Sequence, residues 1–140
     1  MKETYELAVK WFDALKNGRI EELYSYMDDN ITWQNSIVIA GYNDVIPWLG
    51  TYHGKYEVAQ TFVAYGALSK TENFDLEEIY VDGNTMLVHA YETNRIIETD
   101  QIYHADVVYR MRREGEKIVD WKCFWDTAEA VAAIKKKSTE

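Results

Sequence analysis

The chain has 140 residues, 47% of them hydrophobic and 14% aromatic, enough for one domain with its own core and more aromatic surface than routine packing needs. A net charge of −9 repels phosphate backbones and anionic lipid headgroups, so nucleic acids and membrane surfaces are excluded as partners. The lone Cys123 excludes an internal disulfide and a multi-cysteine metal site; with no signal-peptide pattern and no apolar run of about 20 residues, a cytoplasmic location is expected.

Between Thr4 and Leu15, Leu7, Ala8, Trp11, Phe12 and Leu15 recur every three or four residues, which predicts an amphipathic helix stopped by Asn17-Gly18. A second helix fits Ile20 to Met27, with Ile20, Leu23, Tyr24 and Met27 on one side and Asp28-Asp29-Asn30 as the break, so the two form a hairpin. Ile31-Thr32-Trp33 opens a strand. The stretch from Asn35 to Gly50, with the only proline, Pro47, reads as an irregular loop at a pocket rim. Gly54 introduces a third helix, Tyr56 to Leu68, and Ser69 to Asn73 is a polar break.

Beyond it the period changes from helical to alternating. Strands are predicted over Phe74 to Val81, Thr85 to Ile97, Ile102 to Arg112 and Lys117 to Trp125. Short turns at Asp82-Gly83-Asn84 and Glu114-Gly115-Glu116, with a polar link at Glu98-Thr99-Asp100, make neighbouring strands antiparallel. Asp126 or Thr127 caps a last helix, Ala128 to Lys136, whose end carries the basic run Lys135 to Lys137 as a solvated tail.

Side-chain parity then sorts candidate site residues. On the strand from Ile102, Tyr103, Ala105, Val107, Tyr109 and Met111 share the face expected to meet the helices; His104, Asp106, Arg110 and Arg112 share the other. Asp106 therefore points outward unless a β-bulge shifts the register. Trp121, Cys123 and Trp125 alternate on the last strand, and with Trp33 they give a flat indole wall suited to a planar or apolar ligand. Cys123 there is a small buried hydrophobe. Glu92 and Asn94 share a face with Met86, Val88 and Ala90, which sets a carboxyl among apolar neighbours and raises its pKa. His53 is placed at the rim, and Tyr56 is one of several helix-side tyrosines whose hydroxyl is a candidate cavity donor. His53, His89 and His104 have no ligand spacing, so no metal is expected. Phosphate loops, a nucleophile elbow and dinucleotide fingerprints are absent, so no cofactor is expected either.

The order of elements, the acidic segment and strand Asp28-Asp29-Asn30-Ile31-Thr32-Trp33, the segment Gly50-Thr51-Tyr52-His53-Gly54-Lys55-Tyr56-Glu57-Val58 and the hairpin end Gly115-Glu116-Lys117-Ile118-Val119 together resemble the nuclear transport factor 2-like superfamily. Within it the chain looks most like the SnoaL-like polyketide cyclase and ketosteroid isomerase branch. The resemblance covers residues 1–140 as one SnoaL-like domain. It implies an α+β, cystatin-like cone: a curved antiparallel sheet with the helical hairpin and third helix packed on its concave face, often dimeric through the sheet.

The branch moves a proton beside a carbonyl, using a carboxylate base and oxyanion donors. Aligned on Asp28-Asp29, the isomerase base position falls at Trp33 or Gln34, which argues against steroid-type isomerisation by that base. Matching Tyr109 to the cyclase aromatic puts Val107 at the family acid position, with Asp106 as the nearest acid. The expectation is a mostly apolar pocket lined by Trp33, Trp121, Cys123, Trp125, Tyr103, Tyr109, Val107, His53 and Tyr56. It takes a small apolar or planar molecule, with cofactor-independent acid/base chemistry of isomerase, cyclase or hydrolase type by Asp106 or Glu92. The alternative is a non-catalytic binding or dimerisation module, with Leu87, Tyr91 and Val108 burying the outer sheet face in a homodimer.

Overall fold

The computed structural model describes residues 2–136, which form four helices and six strands. Lys137 of the basic run lies outside the described residues. Helix α1 (Lys2–Lys16) buries Thr4, Leu7, Ala8, Trp11, Phe12 and Ala14, the face its apolar spacing marks. Gly18, at φ +69°, reverses the chain into α2 (Ile20–Ser25), which buries Leu23. Strand β1 (Met27–Asn35) follows at once, and here the structure departs from the sequence reading. Met27 belongs to the strand, and Asp28-Asp29-Asn30 lies within it rather than ending a helix. The physical reason is an irregularity in the pairing of β1 with β6 between Met27 and Thr32. It lets the polar triplet face outward while Met27, Ile31 and Trp33 stay in the core.

A second strand, β2 (Gly50–His53), lies between the loop expected to end at Gly50 and the third helix, where the sequence predicts no strand; it pairs antiparallel with β1 at one sheet edge. Helix α3 (Gly54–Leu68) then crosses the sheet, and its His53 N-cap position is secured by the His53 N–H donating to Glu57 Oε1 at 2.8 Å. The predicted break Ser69 to Asn73 is instead the start of β3 (Ser69–Asp82), paired with β4 (Thr85–Ile96). Strand β3 is the other sheet edge, so polar residues can hold strand geometry there with one flank in water. The meander closes with β5 (Ile102–Glu114) and β6 (Lys117–Phe124), all antiparallel as the short turns require.

Strand order is β2-β1-β6-β5-β4-β3, with β1 running parallel to β6. One face of this sheet carries the main core, in which Leu7, Trp11 and Phe12 of α1 and Val58 of α3 meet Met86, Val88, Val107, Met111 and Ile118. Each fully buried aliphatic side chain of this kind contributes about 1.5–3 kcal/mol. A smaller cluster packs Ile46, Trp48 and Leu49 of the loop before β2 against Tyr103 and α4 (Ala128–Lys135). Asn43 fixes that loop: it accepts from the Ile39 N–H at 2.7 Å and donates to Thr127 Oγ1 at 3.2 Å. Among the described residues no helix is long and apolar enough to cross a membrane.

Gly54 sits at the β2–α3 junction at φ +84°, and an added Cβ would lie 3.3 Å from the Asp29 carbonyl oxygen. Gly18 has a similar φ and nothing within 4 Å. Gly54→Ala should therefore cost about 2–3 kcal/mol in urea unfolding, and Gly18→Ala nearer about 1 kcal/mol. Equal costs would show that the contact with Asp29 is irrelevant.

Candidate functional site

Between the concave face of the sheet and helices α1 and α3 lies a cavity of about 310 Å³. Its wall follows from strand register. Parallel pairing sets Trp33 of β1 directly beside Trp121 of β6, and the two rings stack at 3.5 Å with planes 5° apart. Phe62 of α3 meets Trp33 edge-on at 5.6 Å, Trp11 of α1 lies 6.1 Å from Trp33, and Tyr109 lies 5.6 Å from Trp121. The indole N–H groups of Trp11, Trp33 and Trp121 are buried without an acceptor, so ring packing alone holds this wall.

Glu92 supplies the cavity's polar centre. It faces inward on β4 opposite Ala105 of β5 and Phe74 of β3. The neighbouring inward positions are Ala90 and Val107, small side chains that leave room for Tyr109 to reach back along the sheet. The Tyr109 hydroxyl donates to Glu92 Oε2 at 2.6 Å, and Asn94 Nδ2 lies 3.5 Å from Oε1, at the limit of a hydrogen bond. Asn94 is itself oriented by Tyr65 of α3, whose hydroxyl donates to Asn94 Oδ1 at 2.6 Å. Among the described residues no Lys, Arg or His forms an ion pair with Glu92.

The electrostatic consequence is a carboxyl that binds its proton more tightly than an exposed one does. Burial raises the pKa of Glu92 above its ordinary value, outweighing the hydrogen bonds from Tyr109 and Asn94, which lower it. Burial, and then the nearby Glu92 charge, lift Tyr109 well above the usual phenol range, while burial pushes Tyr65 up to about 12. Both stay protonated donors at any physiological pH. Burial also holds the Cys123 thiol in its neutral, unreactive form. Around Glu92 the site therefore offers a carboxyl whose burial raises its proton affinity and two phenols that keep their protons.

Of the residues read from the sequence, Glu92, Trp33, Trp121, Cys123, Trp125, Tyr103, Tyr109 and Val107 line this cavity. Trp125 is half-buried, its indole N–H donating to Asn35 Oδ1 at 2.9 Å. Asp106, His53 and Tyr56 are elsewhere. The β4–β5 register runs unbroken past Asp106, so no bulge turns it inward. It lies on the outer face with its side chain 68% exposed, beside His89 Nε2, while Glu78 lies 3.5 Å from the other ring nitrogen. The Asp106 hydrogen bond raises the pKa of His89. His53 is exposed at the start of α3, and Tyr56, one turn on, is 70% exposed because its direction on the helix points away from the sheet. Trp11, Trp48 and Phe62 also line the cavity. The helical spacing of α1 and α3 could have placed Trp11 and Phe62 there; Trp48 sits in an irregular loop with no periodic signal. No group of three or more His, Cys, Asp or Glu among the described residues could hold a metal.

The fold and sequence have relatives. A family model for the SnoaL-like domain matches residues 8–121. No curated protein matches the sequence. Solved structures do match in fold. An NTF2-like protein from Burkholderia thailandensis is 20% identical with a TM-score of 0.83, over 97% of this chain and 100% of its own. TerC, co-crystallised with polyporic acid, is 15% identical with a TM-score of 0.75, over 96% of this chain and 99% of its own. A protein with a ketosteroid isomerase-like fold from Catenulispora acidiphila, in complex with trimethylamine, is 13% identical with a TM-score of 0.73, over 91% of each chain.

A carboxyl with a raised folded-state pKa binds its proton more tightly folded than unfolded, so its contribution to stability falls as pH rises through that window. Glu92→Gln keeps an acceptor for Tyr109 and cannot ionise. In urea unfolding it should be more stable than wild type at pH values above the folded-state pKa of Glu92. The difference should close as pH drops to the ordinary carboxyl value of 4.5. A difference independent of pH would contradict the protonation account.

Proposed function

The chain belongs to the SnoaL-like domain family, and from that premise we propose that its cavity binds a small, planar, mostly apolar molecule with a carbonyl group, on which Glu92 moves a proton without a cofactor. The observation that carries this reading is the geometry of Glu92: a carboxyl inside an aromatic cavity, held by Tyr109 and ion-paired with no cation among the described residues. The stacked indoles Trp33 and Trp121 suit a flat ligand body. That TerC has been co-crystallised with polyporic acid supports a small organic ligand for this fold.

In the ionised form Glu92 is a stronger base than an exposed carboxylate, because burial destabilises its charge. It takes a proton from the carbon next to the carbonyl. The C–H bond breaks, an O–H bond forms on Glu92, and the electron pair moves to the carbonyl oxygen. Tyr109, kept protonated by burial, loses its strongest acceptor as Glu92 becomes neutral and turns its hydroxyl to the developing oxyanion. Return of the proton to another carbon isomerises the molecule. Asn94 and Tyr65 act as positioning residues that hold the carboxyl.

The test uses β-tetralone and naphthyl methyl ketone in D₂O, with binding followed by tryptophan fluorescence and α-proton exchange by NMR. Wild type and Asp106→Asn should bind the ketones and exchange above background. Glu92→Gln should bind them and lose exchange by at least about 100-fold. Binding with no exchange in wild type would instead favour the non-catalytic binding module. No binding at all would sink the pocket reading.

The outer sheet face supports a second reading, a homodimer. Leu87, Tyr91 and Val108 are exposed there by 44%, 37% and 41%, on adjoining strands and beside exposed Tyr80 and Phe124. The same face carries Glu78 and Asp106 together with Arg110 and Lys122, a mixed charge pattern that a two-fold copy can complement. Light scattering should give a dimer that Val108→Asp dissociates; a wild-type monomer at high concentration rules it out.

A further inference from the structure

The rim of the cavity is uneven in charge. There the last turn of α1 brings Leu15 and Lys16 to the opening, across from Thr71, Glu72 and Asn73 of β3. Among the described residues Lys16 is the only basic side chain in the lining. Glu72, the acid on the same rim, is already engaged: it accepts from Arg95 Nε at 2.7 Å and Arg95 Nη2 at 3.2 Å. Lys16 makes no hydrogen bond or ion pair with any described residue. Its ammonium is therefore an uncommitted cation at the entrance. Favourable interaction with the helix C-terminus accounts for a lysine in this turn, but not for its place on the cavity lining. Lys16 also stands five residues beyond Trp11, about 7.5 Å further along the α1 axis.

We infer that Lys16 is an anion-recognising, specificity-determining residue, and that the molecule this cavity takes carries a carboxylate held at the rim while its planar body lies along the tryptophans. This rests on the reading of the cavity as a small-molecule site. It adds the ligand's charge and the residue that reads it. The chain's net charge of −9 works against any anion at long range, so a preference for a carboxylate has to come from a local contact. A rim ion pair, partly screened by water, corresponds to about threefold to fivefold in affinity.

The probes are naphthoate and naphthamide, matched in shape and differing in charge, titrated by tryptophan fluorescence at low salt against wild type, Lys16→Met and Lys16→Glu. Lys16 is exposed, so both variants should keep the wild-type circular dichroism spectrum. Wild type should bind naphthoate about threefold to fivefold more tightly than naphthamide. Lys16→Met should abolish that preference, Lys16→Glu should reverse it, and naphthamide affinity should hold constant across all three. Added salt should narrow the wild-type preference. A naphthoate preference that survives in Lys16→Met, or none in wild type, overturns the inference while naphthamide binding leaves the cavity reading intact. If neither probe binds wild type, the inference and the cavity reading fall together.

Discussion

Parallel pairing of β1 with β6 is the constraint on which the rest of the site depends. It joins an early segment to a late one, more than half the chain apart, and it sets Trp33 against Trp121 face to face. Without it β6 would be left as a second exposed edge of the meander β3-β4-β5-β6, and α3 would have no β1 surface to cross. The pairing is non-local, so the loop-closure entropy of most of the chain is spent before the indoles meet. The cavity can form only once the last strand is in place. Burial of two large rings on one wall is the compensation, since aromatic side chains bring the largest apolar area per residue ordered.

Within that frame the polar centre is a local cost. Glu92 is removed from bulk water with a single strong hydrogen bond, and three indole N–H groups nearby have no acceptor. Buried polar groups in this state destabilise a fold, each unsatisfied donor by about 1–3 kcal/mol. The protein tolerates them because the surrounding packing is extensive: Phe12 stacks on Phe74 and meets Tyr109 edge-on at 5.0 Å, and Tyr109 in turn holds the carboxyl. Rigid aromatic packing thus fixes the direction of the buried carboxyl in the cavity.

How much was legible in the sequence depends on how each element meets water. Strands β5 and β6 have one face buried and one solvated, so alternation alone put Tyr103, Val107, Tyr109, Trp121 and Cys123 inside and Asp106 outside. The same parity put Glu92 among apolar neighbours. It failed at β2 and at the start of β3, because edge strands lie partly in water on both faces and their side chains do not alternate in polarity. It failed again at Asp28-Asp29-Asn30, which look like a turn but sit in an irregular stretch of β1. Trp48 reaches the cavity only because Asn43 pins its loop to Thr127, a tertiary contact with no local signature. The link from Tyr65 through Asn94 to Glu92 likewise exists only after α3 docks.

Two carboxylates on neighbouring strands show why the chemistry has to be argued from faces rather than from aligned positions. Asp106 pairs across the ladder with Tyr91, the residue next to Glu92, yet the two acids emerge on opposite sides of the sheet. Asp106 meets water and His89, whose raised proton affinity balances its charge where a dielectric near that of water makes the balance easy. Glu92 meets only phenol, amide and apolar groups, so burial destabilises its charge and raises its pKa. Val107, at the position where the SnoaL-like branch is expected to hold its acid, faces the same cavity as Glu92. A concave sheet brings side chains from several strands to one volume, so the Glu92 carboxyl on β4 and the Val107 side chain on β5 reach the same aromatic space from different strands.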